Sequence, residues 1–229
     1  MGNDHLKRLA APKTWQIKRK GAGFITKPAP GPHGLESGMP IGVLLKEVLQ
    51  YAKTTREVER ILNSGSVKID GKPRKDFRFP VGIFDAVEFI EIHEYFRMII
   101  NGKGKLDLVK ISKEESSIKP CKIINKTLVK GKTQLNLFDG KNIFVDKGAF
   151  KVGDSVLLEL PGQKIIKHLK FGKKSTIFLT GGKHIGEIGN VEDIIENRIT
   201  YKDEKGNLIE TSKEYAFVIG EEKPAIKVA

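Results

Sequence analysis

Between residues 7 and 24 the chain interleaves cations with aromatics: Lys7, Arg8, Lys13, Lys18, Arg19 and Lys20 surround Trp15, with Phe24 just beyond. Those residue types in that mixture neutralise phosphates and stack on bases or pack on sugars, which is the chemistry of polynucleotide binding. A second group of cations follows: Lys53, Arg56, Arg60, Lys68, Lys72, Arg74, Lys75 and Arg78, diluted by Glu57, Glu59 and Asp76. A third pair, Lys183 and His184, stands in the glycine-rich run GGKHIGEIG. Two plainer readings compete. The second group is also what an ordinary solvated face looks like, and the first fits a disordered basic tail whose Trp15 packs on the next domain.

Other chemistries lack their residues. The five histidines are far apart and form no metal-ligand spacing, and Cys121, the single cysteine, excludes an internal disulfide and a cysteine metal cluster. The glycine run is not a phosphate loop of the Walker type, because Gly186 is followed by Glu187 rather than by Lys and a hydroxyl residue. There is no nucleophile elbow, no H-E-x-x-H and no kinase signature. The expectation is a protein that is not an enzyme and needs no cofactor, metal or small-molecule substrate. No apolar run reaches the ~18 residues of a membrane span, and MGNDHLKRLAAPK lacks the apolar core of a secretory signal. A reduced, cytoplasmic setting is expected.

The net charge of +13, from 41 bases and 28 acids, favours a polyanionic partner. Its distribution is uneven. Residues 1–38 hold 7 bases and 2 acids, residues 39–105 hold 12 and 9, residues 106–170 hold 13 and 7, and residues 171–229 hold 9 and 10. The last quarter is therefore not basic, and any contact there rests on a loop.

The elements that position these groups can be read in order. Residues 1–38 form a basic extension with too few spaced apolar residues for a core, broken by Gly21, Gly23, Pro28, Pro30, Gly31, Pro32 and Gly34. In residues 39–105, Ile41, Leu44, Leu45, Val48, Leu49 and Ala52 recur at helical spacing. Thr54 and Glu57 then make a capping box for a second helix that Gly65 ends, and Asp70-Gly71 turns a hairpin. Residues 106–170 read as a small β-domain, with runs such as CKIINKTLV, TQLNLFDG, KNIFVD and VLLEL separated by Gly131, Asp139-Gly140 and Gly153-Asp154. Its excess charge comes from Lys110, Lys119, Lys122, Lys126, Lys130 and Lys132. In residues 171–229 five short strands fit an SH3-like barrel. The fold class is α+β and multi-modular.

Three of these stretches together resemble one family. HLKRLAAPKTW looks like the N-terminal signature of the small-subunit ribosomal protein family called S-four-e, met by His5, Lys7, Arg8, Pro12 and Trp15, and GPHGLESGMP is similar to its Gly-Pro-His segment. Residues 42–105 resemble the S-four RNA-binding domain, and Gly182, Gly186, Gly189 and Val191 match the KOW motif. The resemblance implies a structural ribosomal protein that binds small-subunit ribosomal RNA beside neighbouring ribosomal proteins. It adds His33 to the RNA contacts expected of the three cation groups. Two rivals remain: an RNA-modifying enzyme that carries an S-four appendage, and a regulator that docks on polymerase through the KOW module. Removal of residues 1–38 is expected to cost RNA binding and to leave the melting of the folded core intact.

Overall fold

The computed structural model describes residues 5–145, 149–203 and 205–228. These form a β-rich α+β fold in two compact units. The first unit runs to Ile99 and adds Gly104–Ser116. The second takes Ile100–Lys103 and the chain from Ser117 onward.

In the first unit, β1 (Leu6–Lys7) and β2 (Phe24–Ile25) make a small antiparallel ribbon. β3 (Gly38–Pro40) leads into helix α1 (Ile41–Val43), which continues through Leu44–Val48 with wider turns. There the Leu49 N–H reaches the Leu44 carbonyl at 2.9 Å, an i→i−5 bond of the π type. Gln50, at φ 57°, stops the helix short of the Ala52 that its periodicity includes. The apolar pattern still fills the core, since Ile41, Leu44, Leu45 and Ala52 are all buried.

Helix α2 (Thr55–Asn63) opens on the expected capping box. The Glu57 N–H donates to Thr54 Oγ1 at 3.3 Å, and the Glu57 carboxylate accepts the Lys53 and Thr54 N–H groups at 2.7 and 3.4 Å. That backbone donation from Lys53, and then the Thr54 hydroxyl, hold the Glu57 carboxyl below the ordinary range. Val58 and Leu62 face inward, and Gly65 (φ 77°) takes the left-handed conformation after the helix.

The Asp70-Gly71 turn joins β4 (Val67–Ile69) to β5 (Lys72–Pro73). β6 (Pro80–Gly82) pairs with β3, and β7 (Ala86–Phe89), β8 (Glu94–Ile100) and β9 (Leu106–Lys110) complete a sheet ordered β5-β4-β7-β8-β9. Leu106–Lys110, which its pattern groups with the central β-domain, thus extends the sheet of the first unit. Helix α3 (Lys113–Ser116) closes the unit. Beside it the buried Arg97 donates to the Glu115 carbonyl at 2.7 Å, and burial lowers its pKa to about 10.

The second unit holds two five-stranded antiparallel sheets. The first uses β10 (Ile118–Val129), β11 (Lys132–Leu137), β12 (Asn142–Val145), β13 (Ser155–Glu159) and β14 (Lys164–Leu169), ordered β12-β11-β10-β13-β14. Asp146, at the end of the expected KNIFVD strand, lies outside the described residues. The second sheet uses β15 (Thr176–Leu179), β16 (Ile188–Ile195), β17 (Arg198–Asp203), β18 (Leu208–Ser212) and β19 (Ala216–Gly220), ordered β18-β17-β16-β15-β19. Leu157 and Leu169 of the first sheet pack into the core of the second, among Ile177, Val191, Ile199 and Val218. Phe138 meets Phe217 edge to face at 5.3 Å.

Candidate nucleic-acid interface

The expected contacts divide sharply once the N-terminal segment is seen in place. Trp15 is only 1% exposed, and its indole N–H donates to the Gly38 carbonyl at 2.9 Å and to that of Leu35 at 3.3 Å. It is part of the first unit's interior and is not available to stack on a nucleotide, which corrects the expectation. His33 is corrected likewise. Its Nε2 meets both Asp85 carboxylate oxygens at 3.0 Å, with both side chains buried. The close packing of His33 uses two glycines. A Cβ on Gly82 would sit 2.2 Å from His33 Cγ, and one on Gly38 would sit 2.9 Å from His33 Cβ.

Two arginines of the same segment serve the fold. Arg19 donates to the Ala11 and Pro12 carbonyls, both at 2.5 Å, and Arg8 pairs with Glu47 at 2.8 Å while donating to the Lys18 carbonyl at 3.0 Å. The sparse apolar spacing of residues 1–38 predicts that they lack a core. Their anchoring instead comes from long-range polar pairs and one indole, which periodicity does not register. Lys7, Lys13, Lys18 and Lys20 remain exposed, and so does Phe24, at 58%. A cleft of about 280 Å³ lies against this ribbon, lined by Arg8, Phe24, Lys46, Glu47 and Thr55 among others. The place of Lys46 beside Phe24 depends on the fold.

On the helix pair and hairpin, Lys53, Arg56 and Arg60 are exposed, the last two one helical turn apart on α2. Lys72, Lys75 and Arg78 are exposed as well, with Arg78 beside Asp76 at 3.8 Å. Lys68 is half-buried, and Arg74 Cζ lies over the Phe79 ring, 4.2 Å from its centroid, a cation–π contact.

In the second unit Lys183 is exposed at the glycine loop. His184 Nδ1 lies 3.1 Å from the Glu187 carboxylate, which also accepts the Tyr201 hydroxyl at 3.0 Å. Burial, and then Glu187, push the Tyr201 hydroxyl pKa upward. The loop glycines are accounted for by the protein itself. Gly186 (φ 82°) lies against the Asn101 backbone, where a Cβ would come within 2.6 Å, and a Cβ on Gly189 would meet the Tyr201 ring at 2.4 Å.

Several central lysines counted as free charge are engaged. Lys119 is buried against Asp139 at 3.1 Å, Lys110 pairs with Glu94 at 2.7 Å, and Lys122 donates to the Glu214 and Ala216 carbonyls at 2.9 and 2.7 Å. Lys110, Lys126, Lys130 and Lys132 are exposed, Lys126 while donating to the Phe150 carbonyl at 2.6 Å.

Sequence and structure comparisons bear on this arrangement. The profile described as ribosomal family S4e matches residues 92–165, and that of the RS4NT (NUC023) domain matches residues 2–36. The chain is 42% identical over 234 residues to the small ribosomal subunit protein eS4 of Methanocella arvoryzae, covering 99% of this chain and 98% of that one. It is 37% identical over 239 residues to the eS4 protein of Methanococcus maripaludis, covering 98% and 97%. The crystal structure of the 30S ribosomal protein S4e from Thermoplasma acidophilum matches with a TM-score of 0.71 at 29% identity, over 84% of this chain and 99% of that one.

Proposed function

The chain belongs to the ribosomal S4e family, and from that premise we propose that its first unit holds small-subunit ribosomal RNA by a fixed array of surface cations. The protein is a structural constituent of the small ribosomal subunit, binds ribosomal RNA in support of translation, and is not an enzyme. It resides on the ribosome, in the cytoplasm, among neighbouring small-subunit proteins.

One observation carries the account of how it binds. The buried Trp15–Gly38 hydrogen bond anchors a segment whose Lys7, Lys13, Lys18 and Lys20 are all exposed. Cations presented from an anchored segment lose less freedom on binding than cations on a loose tail, so more of their phosphate attraction is left as affinity. Arg56, Arg60, Lys72, Lys75 and Arg78 extend the array over an S-four-type helix pair and hairpin. Arg74, resting on the Phe79 ring, adds a guanidinium to the same surface. We assign the C-terminal five-stranded sheet to an SH3-like KOW module, with Lys183 and His184 at its glycine loop as its own RNA contact, and residues 106–170 broadly to a central β module. Phosphate contacts of this kind recognise RNA shape more than sequence.

The test is sedimentation through sucrose gradients at low and high salt. The protein is expected to travel with the small subunit at low salt and to leave it only as salt rises. Free sedimentation at low salt, or co-purification with polymerase instead, overturns the reading.

A further inference from the structure

The antiparallel meander β10–β11–β12 presents a surface that the cation array does not use. Its register sets Thr127, Gln134 and Phe144 in one row and Asn125, Asn136 and Asn142 in the next. Side chains alternate across a strand, so these six share the face opposite Leu135, Leu137 and Ile143, which fill the core. The carboxamides are tied together: Thr127 Oγ1 and Gln134 Nε2 donate to Asn136 Oδ1 at 3.4 and 3.3 Å. Phe144, directly beside Gln134, is 57% exposed.

The electrostatics of the meander point the same way. Residues 118–145 contain six lysines and one acid, and that acid, Asp139, is buried in ion pairs with Lys119 at 3.1 Å and Lys141 at 2.9 Å. None of the six face residues is a carboxylate, and Lys130 and Lys132 stand exposed at the Lys130-Gly131 turn.

We propose that this face is a platform for unpaired ribosomal RNA nucleotides, with one base stacked on Phe144 and its edge or ribose met by Gln134, Asn136 and Asn142. An exposed ring on a sheet offers a π-face to any splayed base, carboxamides both donate to and accept from base edges and the 2′-hydroxyl, and lysines at the margin hold the phosphates. A protein-docking face would bring more apolar area than a single phenyl ring among amides. Duplex RNA keeps its bases stacked and cannot use the ring. The inference rests on the ribosomal RNA-binding reading and adds a second site, in the second unit, of a different chemistry.

The test uses the full chain with three probes: a single-stranded oligouridine, an RNA duplex of equal length, and small-subunit ribosomal RNA. Phe144→Ala is expected to weaken oligouridine binding by roughly five- to a hundredfold with no change in salt slope, the range set by stacking one base. Duplex binding should stay as it is. Phe144→Trp should restore the affinity, and oligouridine should quench its emission. If the wild type binds ribosomal RNA while Phe144→Ala matches it on oligouridine and Phe144→Trp emission is unmoved, the platform is wrong and the cation array stands. If the wild type binds no probe, both fall. If Phe144→Ala keeps all RNA binding but loses a neighbouring small-subunit protein from the particle, the face docks protein and the proposal is overturned. Should Phe144→Ala unfold the chain, the tryptophan variant decides by quenching alone.

Discussion

Trp15 donates its indole N–H to the Gly38 carbonyl at 2.9 Å across 23 residues of sequence, joining the basic N-terminal segment to the strand that starts the helix pair. The segment is therefore a wall of the first unit. Trp15→Ala should destabilise the protein by about 3–5 kcal/mol, the usual cost of deleting a buried aromatic. Removal of residues 1–38 should lower the unfolding midpoint by at least as much. Denaturant unfolding of the full chain and the truncated one checks both, and an unchanged midpoint on truncation would restore the plain-tail reading.

A second outcome concerns the glycine beneath His33. The position of a Gly82 Cβ, 2.2 Å from His33 Cγ, leaves no room for alanine. Gly82→Ala should cost about 1–3 kcal/mol as the ring is displaced. In a double-mutant cycle with His33→Ala, the pair should be less destabilised than the sum of the two single changes. Strict additivity would show that the ring and the glycine do not interact.

Asp139 provides a pH-dependent test. Burial by itself would raise its carboxyl, but Lys119 and Lys141 together outweigh burial and hold it below the ordinary value. A carboxyl whose folded pKa is depressed contributes stability that is present above its unfolded pKa and lost as pH falls through the folded one. Asp139→Asn leaves the buried Lys119 ammonium facing an amide and should cost about 3–5 kcal/mol at neutral pH. That gap should narrow on acidification, as the wild-type carboxyl itself becomes neutral. Urea midpoints measured against pH for both proteins check it, and a gap that stays constant into acid would remove the ion pair from the account.

How far these features are legible in sequence depends on the distance over which they form. The Thr54–Glu57 box, the Gly65 terminator and the Asp70-Gly71 turn are local, each set by backbone requirements within about four residues, and each is found where the sequence places it. The anchoring of Trp15 and His33 is not local. His33 finds Asp85 52 residues away, and only a closed chain shows that Gly38 and Gly82 make room for it. Net charge is equally insensitive to contacts: Lys119 and Lys122, tied within the fold, add as much to it as the exposed Lys130 and Lys132. Of the six outer residues of the meander, Gln134 and Asn136 are readable as an alternation in TQLNL. The alignment of the six into rows needs the register of three strands.

The most direct measurement of the central claim is the salt dependence of ribosomal RNA binding for Arg56→Ala, Arg60→Ala and Lys72→Ala combined. All three side chains are exposed, so melting should match the wild type. Each lost phosphate contact removes about 0.7–0.9 from the slope of log affinity against log salt, so the triple variant should bind more weakly with a slope smaller by about 2–3. A wild-type slope and affinity in a filter-binding titration, with melting unchanged, would contradict the claim that this surface holds the RNA.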